Sequence, residues 1–305
     1  MYQAQISSWG SNPKWIQVSD LPQPGPDELQ IKVLAVGVHR VVRSRASGKH
    51  YTSGQIPHVP GVDGIGTITS TNQKCYFFSM TSAIMSEYLN LPKTSVFPLP
   101  DDTDPVHFAA SINPAMSSWM AFKGRTDGLE EGFTCLILGA TSASGRMAIP
   151  LARALGAKKV IGAARNQETL DGLDLDASIV IQEEVEKTDF SNLDDVDVVI
   201  DYIYGALTHH LFKSLKTPKP VQYVHIGALS GELEMGIPGE ILRSKDITIR
   251  GSGPGAWNMK AFAKTLPELL EAVPKVPKQA TKVAKFENIE NEWDHKGSER
   301  LVFVP

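Results

Sequence analysis

The early part of the chain carries short stretches in which apolar and polar residues alternate. Over residues 28–36, Leu29, Ile31, Val33 and Ala35 fall on one side, which predicts a half-buried strand after the turn-forming run 22–27. Residues 61–68 predict a second strand, and its closely spaced Gly61, Gly64 and Gly66 imply that it bends or lets another backbone approach. The first third therefore reads as a β-rich, barrel-like unit. From about Ser111 the pattern changes to alternating helical and buried-strand signals, the mark of βαβ units around a parallel sheet. Residues 134–138 form a continuous apolar strand, and Met147, Ala148, Leu151, Ala152 and Leu155 then mark one face of a helix. Residues 159–164, 196–201, 221–227 and 247–250 predict further strands, a count that suits a doubly wound α/β sheet. The strongly acidic stretch 182–197 reads as a solvated connection without function. An amphipathic helix containing Phe262, Leu266, Leu269 and Leu270, a proline-broken linker and a final strand over 300–304 complete the pattern.

Length and composition narrow the class. A chain of 305 residues exceeds what one core usually organises, so two domains are expected, and 42% hydrophobic with 21% charged residues is the balance of a globular protein. The net charge of -4 and the scattered lysines and arginines supply no field for nucleic acid or an anionic membrane, leaving a small molecule as the expected partner. Neither a leader-like start nor a membrane-spanning run is evident, so a cytoplasmic protein is expected. Cys75 and Cys135, each within a strand pattern, suit reduced thiols and cannot build a four-cysteine zinc lobe.

The most informative segment is the strand-to-helix turn that contains Gly139, Thr141, Ser142, Ala143, Ser144 and Gly145. Small residues there let backbone N–H groups approach a pyrophosphate, whose charge a helix N-terminus favours. Two glycines stand where the common fingerprint has three. The next predicted strand ends at Arg165 and Asn166. A cation at this place suits a ribose 2'-phosphate, whereas an acidic residue would suit a free 2'-hydroxyl, so NADPH is the expected cofactor. Pro150 conflicts with the helix that follows the turn and predicts either a kink or a late helix start.

With these segments in place, the chain resembles the medium-chain dehydrogenase/reductase family, and within it the zinc-free quinone oxidoreductase (zeta-crystallin-like) branch. The resemblance runs through residues 24–33, 46–51, 60–66 and 113–121, the turn above, residues 226–228 and Gly251-Ser252. It implies a GroES-like domain over 1–112 and 257–305, a Rossmann NADPH-binding domain over 113–256, an active site in the cleft between them, and a homodimer. Zinc-dependent relatives hold their metal with three protein ligands. Here His39 and Val62 stand at the first two positions and no Cys or His stands near 113–119, so no metal is expected.

Without a Lewis acid, the hydride acceptor should already be electrophilic: a quinone, or an alkene conjugated to a carbonyl. Tyr51 is the first candidate for proton donor or oxyanion partner, followed by His39, Ser117 and His50. By resemblance, residues 113–117, Ala228, Gly251 and Ser252 should lie near the nicotinamide. A specialised enoyl reductase and a non-redox or cofactor-binding protein on the same fold are the alternatives. The cationic Arg40, Arg43 and Arg45 bear on the second alternative, and the reading favoured for them is a solvated face.

Overall fold

In the computed structural model, which describes residues 1–193, 195–216, 218–297 and 299–305, the chain begins with the antiparallel pair β1 (Tyr2–Gln5) and β2 (Lys14–Gln17). There follow β3 (Glu28–Gly37), α1 (Arg40–Ala46), β4 (Asp63–Ile68), β5 (Lys74–Phe78), β6 (Tyr88–Pro92) and β7 (Val96–Pro98). The long helix α2 (Pro105–Arg125) leads on to β8 (Thr134–Leu138), α3 (Ala143–Ala154), β9 (Lys159–Ala164), α4 (Gln167–Asp171) and β10 (Ala177–Val180). Next come β11 (Val198–Asp201), α5 (Ala206–Ser214), β12 (Val221–His225), α6 (Gly239–Ser244), β13 (Ile247–Gly251) and α7 (Met259–Ala272). The chain closes with β14 (Thr281–Lys285), α8 (Ile289–Glu292) and β15 (Arg300–Val304). No helix among the described residues is long and apolar enough to cross a membrane.

Two compact units result: Met1–Asn113 with Val273–Pro305, and Pro114–Ala272. The first holds a seven-stranded sheet in the order β14-β15-β3-β4-β5-β7, with β6 also paired to β3. β3 serves three neighbours because its register with β4 shifts between Val33 and Ala35, a bulge that bends the strand. The glycines of β4 allow the close approach their spacing implied: a Cβ on Gly66 would lie 2.4 Å from Ile31 Cγ2 and 2.7 Å from the Lys32 carbonyl oxygen.

The second unit is a six-stranded, all-parallel sheet in the order β10-β9-β8-β11-β12-β13, the doubly wound arrangement in which strand order reverses between β8 and β11. β8 is buried throughout and apolar from Cys135 to Leu138 because both of its faces are covered. Cys135 and Ile137 pack with Ala148, Ile149 and Ala152 of α3, while Leu136 and Leu138 pack with Leu207, Leu211 and Phe212 of α5. Both cysteines are free and buried.

The structure departs from the sequence reading at several places. The helix α7, which that reading gave to the returning domain after residue 257, lies in the second unit. Trp119 Nε1 donates to Thr265 Oγ1 at 2.6 Å, Lys123 pairs with Glu268 at 3.1 Å, and Trp257 stacks on Phe262. Helix α3 starts on its cap at Ser142 and runs through Pro150, which rules out a late start. Of the three arginines of α1, only Arg40 is exposed. Arg45 is buried and donates to the carbonyls of Thr52, Gly61 and Met80, since loop carbonyls taken from water need donors and a guanidinium offers five. Arg43 stacks over Trp293 and donates to the carbonyls of Trp293 and His295. The acidic stretch is likewise more than a solvated connection, because Phe190, Leu193 and Val196 are core residues of the second unit.

Candidate functional site

The strand β8 ends against a tight turn. Gly139 adopts φ +88, a left-handed conformation that glycine accepts without steric cost, and the N–H groups of Gly139 and Ala140 both donate to the Ala163 carbonyl at 2.8 and 3.1 Å. Ser142 N–H returns to the Gly139 carbonyl at 2.9 Å, and Ser142 Oγ accepts the Gly145 N–H at 3.0 Å as the helix cap. Gly145 sits so close that a Cβ there would lie 2.2 Å from the Gly139 carbonyl oxygen. The substituted fingerprint thus closes with Ser142 as a cap. The first turn of α3 carries no acidic side chain, so nothing there opposes an anion at the helix N-terminus.

This turn opens onto a cavity of about 890 Å³ in the second unit. Gly139, Thr141, Ser142 and Arg165 of the expected nucleotide contacts line it. Arg165, one residue beyond β9, is exposed and has no ion pair or hydrogen bond among the described residues. The other expected contacts have structural duties. Asn166 caps α4, accepting from Thr169 N–H and Oγ–H at 2.7 and 2.9 Å. The Gly251 carbonyl accepts from Arg125 Nε at 2.7 Å. Ser252 is buried, donating its N–H to the His225 carbonyl and accepting from Trp257 Nε1. Ala143, Ser144, Gly145 and Ala228 are not part of the cavity wall.

The remaining wall was not anticipated. Val180, Ile181, Gln182, Glu183 and Val185 come from the end of β10 and the acidic stretch. Ile203, Tyr204, Ala206 and Leu207 follow β11, and Leu229, Ser230 and Glu232 follow β12. The fully buried Asp201, last residue of β11, organises this side. Its Oδ1 accepts the N–H groups of Ile203 and Tyr204 at 2.7 and 3.0 Å, and its Oδ2 accepts the hydroxyls of Thr208 and, at 2.7 Å, Tyr223. Tyr204 is thereby held at φ +65 with its ring against His225. Burial pushes the Tyr223 phenol far up, which keeps it a donor. A short apolar run ending at Ile181 was the one signal in the sequence that could have located the wall beyond β10.

Ser117, expected at the reaction centre, turns back to donate to the Pro114 carbonyl at 2.8 Å within its own helix. Its neighbour Ser118 makes the long-range contacts, with Oγ 2.7 Å from the Tyr202 hydroxyl and 3.2 Å from the Ser144 carbonyl oxygen. Burial drives the Tyr202 phenol upward, so it stays protonated. Helix α2 is thereby tied to the first turn of α3.

In the first unit, Tyr51 is 70% exposed on a turn, stacked on His50 at 4.3 Å. His39, at the N-cap of α1, is buried, and neither ring nitrogen has a hydrogen-bond partner among the described residues; its Nε2 stands 3.6 Å from Asp63 Oδ1. Burial first, then the charge of Arg300, holds the His39 imidazole well below its ordinary value, the Ala109 carbonyl opposing weakly. Asp63 accepts from the buried Tyr76 hydroxyl at 3.2 Å, and burial pushes its carboxyl up to about 7 against the pull of Tyr76 and Asn113. Among the described residues no group of three or more His, Cys, Asp or Glu is arranged to hold a metal ion.

The raised Asp63 value carries a stability prediction. Unfolded, the carboxyl ionises near 3.8; folded, it keeps its proton to about 7. Between these values the native state binds more protons at Asp63, so the contribution of this carboxyl to stability falls as pH rises through that window and levels off above it. Urea unfolding from pH 4 to 8 should show this slope as the difference between wild type and Asp63→Asn, because the buried His39, shifted down, contributes with the opposite sign in both proteins; an equal slope in the two would reject the assignment.

A parallel sheet in this strand order, with a glycine turn closing onto a capped helix at the reversal point, defines a dinucleotide-binding fold. No family model matches the chain. The chain is 32% identical over 357 aligned positions, covering all of both proteins, to the probable NADPH-dependent quinone reductase tdiC of Emericella nidulans. Among solved structures, it superimposes with TM-score 0.82 and 20% identity on the quinone oxidoreductase of Thermus thermophilus, whose complex with NADPH is described. A mycobacterial quinone oxidoreductase gives TM-score 0.81 at 18% identity, and both matches cover the full length of both chains. The chain belongs to the quinone oxidoreductase branch of the medium-chain dehydrogenase/reductase family.

Proposed function

We propose that this protein is an NADPH-dependent oxidoreductase that delivers hydride to a quinone or to an alkene conjugated to a carbonyl. The observation that carries the reading is Arg165, exposed and unpaired among the described residues on the wall of the same cavity that the capped turn of α3 enters. The residues fit the nucleotide. The α3 N-terminus and the turn at Gly139–Ser142 receive the pyrophosphate, and the Arg165 guanidinium receives the 2'-phosphate with paired donors. Ser118 of α2, bonded to the Ser144 carbonyl and to the Tyr202 hydroxyl that follows β11, holds the turn in place. When bound, the reduced nicotinamide supplies the hydride, and the protein supplies orientation and exclusion of water. Tyr51, exposed and stacked on His50, is the proposed proton donor, with His39 and Ser117 behind it. Free buried thiols support a cytoplasmic location, and the open edge strand β13, with exposed Ile249, supports a homodimer.

Titration with NADPH and NADH, followed by turnover on a panel of quinones and conjugated enones, tests the reading. Arg165→Ala should weaken NADPH by about tenfold to a hundredfold, the worth of one or two charge-assisted hydrogen bonds, and leave NADH unchanged. Equal wild-type affinity for the two nucleotides would overturn the Arg165 assignment.

A further inference from the structure

We propose that Tyr204 is the side chain against which the adenine ring of the bound nucleotide stacks, an assignment that rests on the NADPH reading above. Among the described residues, Tyr204 is the only aromatic one on the wall of the 890 Å³ cavity. Arg165 lines that cavity too, with Val180, Ile203 and Leu207, so a ribose whose 2'-phosphate meets Arg165 carries its base into a space that Tyr204 also lines.

The backbone supports a ligand role. Tyr204 stands at φ +65, a conformation that a bulky side chain adopts only when its surroundings impose it, and such residues concentrate at ligand sites. Here they impose it from two sides. The Asp201 carboxylate takes the N–H groups of Ile203 and Tyr204. From the loop after β12, Leu229 N–H donates to the Tyr202 carbonyl, and Ser230 donates both its N–H and its Oγ–H to the Ile203 carbonyl. The ring itself is braced by His225, centroids 4.2 Å apart at an interplanar angle of 35°, so its orientation is set before a ligand arrives.

The test uses 2',5'-ADP, which carries the adenine and the 2'-phosphate without the nicotinamide. Calorimetric titration of wild type should first show that 2',5'-ADP and NADPH both bind; if neither does, the NADPH reading itself falls. Given binding, Tyr204→Gly should weaken both ligands alike, by about tenfold, the effect expected for losing one base–aromatic stack. Tyr204→Phe should retain wild-type affinity for both. The melting temperature of the ligand-free Tyr204→Gly protein should not fall, because glycine accepts the left-handed backbone, so that lost affinity is not lost folding. An unchanged 2',5'-ADP affinity in Tyr204→Gly overturns the proposal, whether or not NADPH weakens.

Discussion

Gly145→Ala is expected to reduce NADPH affinity by about a hundredfold, the equivalent of two charge-assisted hydrogen bonds at the pyrophosphate. The added Cβ would lie 2.2 Å from the Gly139 carbonyl oxygen and 2.8 Å from Ala140 Cα, both backbone atoms that cannot swing aside. The start of α3 must therefore part from the end of β8. That movement breaks the Ser142 cap and displaces the N-terminus of α3, with an overpacking cost of about 1–3 kcal/mol in stability. Ser142→Ala is the control. It removes the cap without the clash, costs about 1 kcal/mol, and should leave most of the affinity. Calorimetric titration beside urea unfolding separates the two effects. NADPH binding at wild-type strength in folded Gly145→Ala would mean that the nucleotide does not use this turn.

Asp201→Ala should lower stability by about 4 kcal/mol or more, since the carboxylate serves four donors in a dry interior and each orphaned donor costs about 1–3 kcal/mol. The loss should appear as a lower urea midpoint for the second unit. Asp201→Asn keeps the volume but replaces one acceptor oxygen with an amide NH2 that faces donors, so it should recover only part of the loss. If Asp201→Ala unfolded at the wild-type midpoint, this network would be incidental to the fold.

The parts of the fold legible in the sequence are those whose signal lies within a few consecutive residues. The run Thr134–Leu138 coincides with β8 because a parallel strand buried on both faces is apolar at consecutive positions, here Cys135 to Leu138. The glycines of β4 announced a close approach because a β-carbon leaves no room for Ile31 and the Lys32 carbonyl. In the site, Gly139, Ser142 and Gly145 form one local motif, and Arg165 follows from its place after the next strand. The arginines of α1 misled because composition cannot say that neighbouring loops will leave carbonyls for Arg45 to bind. The acidic stretch misled because three apolar residues, Phe190, Leu193 and Val196, are enough to anchor it while Glu183, Glu184, Glu186 and Asp189 face water.

By itself, then, the sequence determined a β-rich first unit, a doubly wound second unit and a tight glycine turn into α3, since each is written as a contrast of apolar, polar and glycine positions along a short segment. Tertiary structure alone decided the wall opposite Arg165. Asp201 and Glu232 acquire their places through bonds to Thr208, Tyr223 and Ala206, and Tyr204 through its ring contact with His225, partners that only strand pairing and loop packing bring together. A carboxylate between apolar neighbours has the same appearance in sequence whether it meets water or four donors, and only the fold distinguishes the two.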